Sequence, residues 1–460
     1  MQPPRSDARL PRRRFLRDTL ALGTLPALLD TRAATPEATP PTFERRVKLG
    51  VVACGGRGFW IARLFARHGG YTLHAVADYF PAVANACGEA LGVPASRRFS
   101  GLDGYRRLLE SGVEAVALEA PPGFFPDHAR AAVEAGVHVY MAKPVAVDVP
   151  GCLTIEAAAR TATDRKQVFF VDYQMPTDEP HIEIVRRIHA GMIGPVAVVN
   201  SQYYASTFPD PPHTASVADR LQHLTWCNDN ALGGGYHVNA CIHAIDAALW
   251  VIGQRPVAAT GFSRAARPDP HGDSHEVFSL LFEFPDGLIL DHRGKHLPNQ
   301  TGFDVYCQVQ GRDGHAQFAY GGKAWIRSND DAYQGESVNL YEAGAVRNIA
   351  NFYDHVVTGR RDNPTVRRSV DGALTTILGR EAARRRTRLT MTSCSRKTPA
   401  SNARSPGTQG VARAEPPDVG AYVIQPPADW RGWLRPGSAS LPTPSTAVDA
   451  PRAPRAAPSG

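Results

Sequence analysis

The stretch "VKLGVVACGGRGFWIARLF" (residues 47–65) starts as a near-continuous apolar run. It then passes through three glycines into a segment with helical spacing. A strand covered on both faces by helices reads this way, and a strand feeding directly into a helix is the opening unit of a doubly wound parallel sheet. Ala53, Gly55 and Gly58 stand at the three places of a Gly-x-Gly-x-x-Gly fingerprint, with Gly56 and Arg57 inside the loop. Gly55 lets backbone approach a pyrophosphate, and Gly58 lets the helix pack close to the strand. The unpaired N–H groups of the helix N-terminus then face the phosphates. Ala53 replaces the turn glycine, which requires a negative φ at that position.

Short apolar runs recur after it, at 72–78, 113–120, 136–142 and 167–174, separated by helix-like stretches such as Phe59 to His68 and Pro126 to Ala135. This βαβ alternation predicts a Rossmann-type parallel sheet whose ligands bind at the carboxyl ends of its strands. Asp78 ends the second run, where a carboxylate holds a ribose 2′-OH and repels a 2′-phosphate. NAD is therefore expected in preference to NADP.

Three further stretches add specificity: "EAPPGFFPDHARAAVEAGVHVYMAKP" (119–144), "GGGYHVNACIHAIDAALWVIG" (233–253) and "ILGREAARRRTRLT" (377–390). Together with "VVACGGRG", and in this order, they resemble the GFO/IDH/MocA oxidoreductases over about residues 45 to 390. The resemblance implies an α/β fold: a Rossmann domain (45–165), then an α/β domain with a large open, mostly antiparallel sheet (166–390). Strand candidates for that sheet include "GPVAVVNSQYYAS", "EVFSLLFEFPDGLILDHRG" and "FDVYCQVQGRDGHAQFAYG", with Pro-Asp-Gly at 285–287 as a hairpin turn. It also implies sheet-to-sheet dimers or tetramers, a homo-oligomer.

Members resembling this chain carry Glu-Lys-Pro after the fifth strand; here the triplet is Ala142-Lys143-Pro144. Lys143 would sit beside the nicotinamide and substrate, with its pKa depressed by a nearby cation. After Gly233-Gly234-Gly235, the residues Val238, Ile242, Ile245 and Leu249 make a core face at helical spacing. Asn239, His243, Asp246 and Trp250 make the adjacent stripe. The resemblance puts this stripe along the substrate cleft, with an acid at the place of Asn239. An amide binds a hydroxyl but cannot take its proton, so His243 becomes the candidate base, helped by Lys143. Asn239, Asp246, Tyr236 and Tyr204 are the substrate candidates. Pro121, Pro122, Lys143 and Gln174 join the glycine loop and Asp78 as cofactor candidates. His237 and Asp172 are nearby by motif position, and His128 is expected to pack behind the cofactor loop.

The chain has 460 residues, 43% of them hydrophobic, and a formal charge of +7. The arginines crowd between Arg5 and Arg46 and again from Arg380 onward, which reads as basic tails and not as a nucleic-acid face. Seven cysteines without CxxC spacing predict neither a disulfide framework nor a metal site. Arg12-Arg13-Arg14-Phe15-Leu16, the apolar segment Leu20 to Leu29, and Thr31-Arg32-Ala33 follow one another as a twin-arginine signal peptide does, over residues 1–34. Such a leader engages the twin-arginine export machinery and implies a periplasmic protein exported already folded, with its cofactor inside. Residues 391–460, rich in Pro, Ala, Ser and Arg, are expected to be disordered.

These readings converge on hydride transfer between a tightly bound nicotinamide cofactor and a hydroxyl or carbonyl of a sugar or cyclitol. The alternatives are an NAD-dependent glycosidase or lyase working by transient oxidation, and a non-catalytic dinucleotide- or sugar-binding protein, which Ala142 and Asn239 favour.

Overall fold

The computed structural model describes residues 43–397, apart from 215, 269, 271, 300 and 301. The signal peptide expected over 1–34 and most of the expected tail lie outside the described residues. The strands β1 (Val47–Val52), β2 (Tyr71–Asp78), β3 (Arg98–Ser100), β4 (Ala115–Leu118), β5 (His138–Ala142) and β6 (Phe169–Asp172) form one sheet in the order β3-β2-β1-β4-β5-β6. All its pairings are parallel. β4 is buried at every residue, as helices on both faces demand. The order reverses between β1 and β4, which opens a crevice beyond their carboxyl ends. β6 pairs with β5, so the hydrogen-bonded sheet runs past the domain division expected at residue 165.

The glycine turn departs from expectation in one respect. Ala53 has φ 68°, in the left-handed region, and not the negative φ its side chain prefers. Its N–H donates to the Ala77 carbonyl at 2.8 Å. A Cβ at Gly58 would come within 1.8 Å of the Ala53 carbonyl oxygen, so the turn is held tightly against the helix Gly56–His68. Left-handed backbone costs an L-residue about 1–2 kcal/mol, partly offset by the greater chain entropy a glycine loses. Ala53→Gly is therefore expected to raise stability by about 0.5–1 kcal/mol. Urea unfolding midpoints check this, and a destabilised variant would show the turn to be unstrained.

The second sheet contains β7 (Val196–Ala205), β8 (Ala258–Arg264), β9 (Val277–Glu283), β10 (Ile289–His296), β11 (Asp304–Gly311), β12 (Gly314–Ala319), β13 (Gly322–Ser328), β14 (Ala332–Ser337) and β15 (Leu389–Thr390). Their order is β14-β13-β12-β11-β7-β10-β9-β8-β15. β7 and β10 run parallel, while the other recorded pairs are antiparallel. Pro285-Asp286-Gly287 makes the β9–β10 hairpin, with Gly287 at φ 86°. Burial alternates along β9 and β10, so one face packs and the other is open. The packed face lies under the helices Ile242–Ile252 and Thr365–Arg385. The open face exposes Phe262, Leu281 and Ile289.

Residues 391–397, assigned to disorder from composition, form a helix instead. Cys394 is fully buried there, and that anchor outweighs the polar composition around it. Among the described residues no helix is long and apolar enough to cross a membrane.

Candidate active site

The crevice is floored by the glycine turn. A Cβ built on Gly55 or Gly56 meets nothing within 4 Å, so the backbone at the start of the helix Gly56–His68 borders open space. Asp78 closes the neighbouring strand. Its Oδ2 accepts from the Cys54 N–H at 2.7 Å and its Oδ1 from the Phe80 N–H at 2.9 Å. Burial pushes this carboxyl up to about 6, against the pull of those donors. An open cradle of helix-terminal donors with a carboxylate at the next strand end fits a dinucleotide that carries a free ribose diol. Pro121 and Pro122 lie in the loop after β4, in the same row of strand ends; Pro122 is buried and the following Gly123 N–H donates to the Leu232 carbonyl at 2.8 Å.

Lys143 follows β5 directly and is joined to Pro144 by a cis peptide bond. Its Nζ donates to the Asn239 carbonyl at 2.8 Å, which brings the lysine against the glycine-led segment of the second domain. That segment is two helices, Gly235–Asn239 and Ile242–Ile252, joined through Ala240 and Cys241, where one continuous helix was expected. Gly235 has φ 75°, and a Cβ there would strike Asn230 Oδ1 at 2.3 Å, so this entry into the helix needs glycine. Arg380 holds the segment from behind, donating to the carbonyls of Val147 at 3.1 Å and Gly234 at 3.0 Å.

His243 is buried among the rings of Tyr320, Tyr203 and Tyr173, with centroids 5.1, 6.1 and 6.3 Å away. Burial first, then the charges of Lys143 and Arg57, hold its pKa well below the ordinary imidazole value. Lys143 is lowered to about 8, by burial and then by Arg57. A base works best with a pKa near the working pH. Burial thus leaves the lysine nearer to neutral pH than the histidine.

Ala142 and Asn239 leave no carboxylate where the family pattern has one, yet two carboxylates converge close by. Glu119 follows β4 and Asp172 ends β6, and neither side chain is exposed. Arg57, from the glycine turn, lies between them: its Nε is 3.0 Å from Glu119 Oε2, and its Nη2 pairs with Asp172 Oδ2. Arg57 also donates to the Tyr341 hydroxyl at 3.0 Å. So Arg57, expected as a cofactor contact, is held by protein carboxylates. Burial raises Glu119 to about 7 even with Arg57 beside it. Both acids act on Lys143, each raising its pKa against the larger effects of burial and Arg57. The role of Glu119 went unread because a single acid at a strand end carries no motif of its own.

Other candidates fall elsewhere. The Tyr236 hydroxyl donates to the carbonyls of Tyr203 at 2.6 Å and Lys295 at 2.8 Å in a fully buried position, so it is a core residue and not a substrate contact. Tyr204 sits on the open face of the sheet under the Lys295 ammonium, 4.4 Å from its ring centre, and alternation puts Tyr203 on the inner face beside His243. Asp246 is buried and paired with Arg368 Nε at 2.8 Å, which withdraws it from a substrate. Gln174 is buried, donating to Asp172 Oδ2 at 3.1 Å and accepting from the Tyr320 hydroxyl at 2.8 Å, and so backs the site instead of facing the cofactor. Asn239 keeps a small exposure, its Nδ2 donating to the Gly233 carbonyl at 3.4 Å. His128 packs on Tyr105, with ring centres 4.3 Å apart, and burial lowers it to about 4.

Comparison with known proteins agrees with this fold. Residues 47–173 match the model of an oxidoreductase family with an NAD-binding Rossmann fold, GFO/IDH/MocA. Residues 181–317 match the GFO/IDH/MocA C-terminal domain. An inositol 2-dehydrogenase of Ralstonia nicotianae is 27% identical over 275 residues, 59% of this chain and 73% of that protein. Among solved structures, an aldose-aldose oxidoreductase of Caulobacter crescentus complexed with glycerol superposes with a TM-score of 0.61 at 20% identity, covering 75% of this chain and 100% of the other. A scyllo-inositol dehydrogenase of Lactobacillus casei with bound NAD(H) and scyllo-inositol gives 0.61 at 18% identity, covering 76% and 100%. Two matched family segments spanning more than half of the chain, over the fold and crevice described, show that the protein belongs to the GFO/IDH/MocA family of NAD-binding oxidoreductases.

Proposed function

We propose that this protein oxidises a secondary hydroxyl of a sugar or cyclitol, with NAD held through the catalytic cycle and reset by a second substrate. The observation that carries the reading is the meeting of Lys143 with the Asn239–His243 segment at the carboxyl end of β5, beside the open glycine cradle. NAD, when bound, supplies the hydride acceptor. Gly55, Gly56 and Gly58 would hold its diphosphate and Asp78 its ribose diol. The neutral amine of Lys143 takes the hydroxyl proton, and neutral His243 holds that hydroxyl in a hydrogen bond. The tyrosine rings around His243 shield the site from water. Similarity to an inositol 2-dehydrogenase and to an aldose-aldose oxidoreductase supports a polyhydroxylated substrate.

The twin-arginine pattern of Arg12 to Leu16 supports export of the folded, cofactor-loaded protein to the periplasm, where no dinucleotide pool would refresh it. One preparation tests both parts. The mature protein is isolated from a periplasmic fraction, its N-terminus and bound dinucleotide are read by mass spectrometry, and single-turnover absorbance changes are followed with a panel of sugars and cyclitols. The expected result is a processed chain carrying NAD that is reduced by at least one member of the panel. A chain retained in the cytoplasm with its leader intact would overturn export. A chain with no affinity for NAD would overturn the redox reading.

A further inference from the structure

Behind the crevice, between the segment Gly233–Cys241 and the inner face of the second sheet, three metal-ligating side chains meet in the core. His237 lies on the helix Gly235–Asn239, Cys241 four residues later where that helix breaks, and His292 on β10. All three are fully buried. One donor atom from each lies within 4.8 Å of the others. Neither ring nitrogen of His237 has a hydrogen-bond partner among the described residues, and neither does Nε2 of His292. A buried polar group left unpaired costs about 1–3 kcal/mol. One such nitrogen from each ring, beside a buried thiol in an otherwise apolar core, calls for a common partner.

The surroundings are shaped for one. Nδ1 of His292 is bonded to Ser201 Oγ at 2.8 Å, which orients the ring and leaves Nε2 as its free donor. Metal-binding histidines are commonly held by their second nitrogen in this way. Two glycines keep side-chain bulk away from the donors. A Cβ at Gly294 would come within 2.6 Å of Cys241 Sγ and 3.5 Å of His292 Nε2, and one at Gly379 within 2.9 Å of His237 Nε2. Phe278 stacks on His237 with ring centres 4.7 Å apart, so the pocket is dry on that side.

We propose that His237, Cys241 and His292 bind a borderline-soft divalent cation of the Zn²⁺ type, as a structural clamp. Two imidazoles and a thiolate suit such an ion, and hard oxygen-seeking cations would not select this set. Bonds of about 2.0–2.3 Å bring tetrahedral or trigonal donors to about 3.5 Å apart, so no donor needs to move by more than about 0.7 Å. The clamp ties the Gly233–Cys241 segment, which carries Asn239 and leads into His243, to β10 in the rigid sheet. It binds no substrate, and it stands whether or not the protein oxidises a sugar. Composition hides it: the first two ligands are four apart on a helical segment, and the third is on a distant strand.

The test uses the full-length protein expressed with added Zn²⁺, washed with EDTA to strip surface sites, and assayed for metal by inductively coupled plasma mass spectrometry. About one equivalent of zinc per chain is expected, falling by about tenfold in Cys241→Ser and in His292→Gln, and unchanged in the control Cys307→Ala. In parallel, the wild-type chain is expressed in cobalt medium, where a thiolate-to-cobalt charge-transfer band in the near ultraviolet reports a cysteine ligand, and its loss in Cys241→Ser assigns that ligand to Cys241. A folded wild type that carries zinc below about 0.1 equivalent and shows no such band overturns the proposal. So does full zinc retention in Cys241→Ser, which would place the metal elsewhere.

Discussion

Lys143→Arg is expected to lower the rate of hydroxyl oxidation by about 10²–10⁴-fold while leaving bound NAD in place. The amine is the group of the pair whose pKa, about 8, falls in the working range; His243 is held well below the ordinary imidazole value and stays neutral throughout. In the wild-type protein the oxidation rate should therefore rise with pH up to about 8 and level off above it, as the lysine loses its proton and becomes able to accept another. Arginine keeps the positive charge and its influence on His243, but does not release its proton in this range. The variant should be slow and lack the limb near pH 8. Lys143→Met removes the charge as well and should be similarly slow. Single-turnover pH profiles, with NAD content measured on the same samples, separate proton transfer from cofactor loss. An unchanged limb near pH 8 in Lys143→Arg would assign the proton to another group.

Arg57→Met is expected to cost about 3 kcal/mol of stability, because it leaves Glu119 and Asp172 facing each other with no exposed surface. The loss should depend on pH. Glu119 already has a folded pKa of about 7, above the ordinary carboxyl value, so the folded state holds this proton more tightly than the unfolded chain does. Its contribution is present below the unfolded pKa and is lost as pH rises through the folded one. Without Arg57 the carboxyl pKa moves higher still, so the variant should lag the wild type more at pH 8 than at pH 5 in thermal unfolding. Adding Glu119→Gln should restore part of the loss. The Arg57 guanidinium also lies over the rings of Trp60 and Tyr341, 5.4 and 5.7 Å from their centres, and an equal deficit at both pH values would show that this packing, and not charge, is what Arg57 supplies. The same substitution removes the second-largest cause lowering Lys143, so the kinetic limb should move above pH 8.

Parts of the site that depend on chain neighbours were legible. The glycine turn, Asp78 and Lys143 each lie at the end of a strand whose apolar run marks that end, so their place in the crevice follows from local pattern. Parity was not legible in the same way. Tyr203 and Tyr204 differ by one residue, and their opposite faces follow from the pairing of β7 with β10 and β11. The break at Ala240–Cys241 was hidden because the apolar spacing continues across it. The helix at 391–397 was hidden because one buried cysteine outweighs a polar composition.

From residue order alone came the parallel first sheet and its NAD preference, since each rests on periodicity or on a short loop whose chemistry is contained in itself; the lysine at the mouth came from the family resemblance. The Arg57–Glu119–Asp172 cluster, the burial that together with Arg57 lowers the Lys143 amine, and the His237–Cys241–His292 trio came from the folded arrangement. Their members stand on different strands and loops, and the burial that shifts their charges arises only when two sheets and their helices close around them.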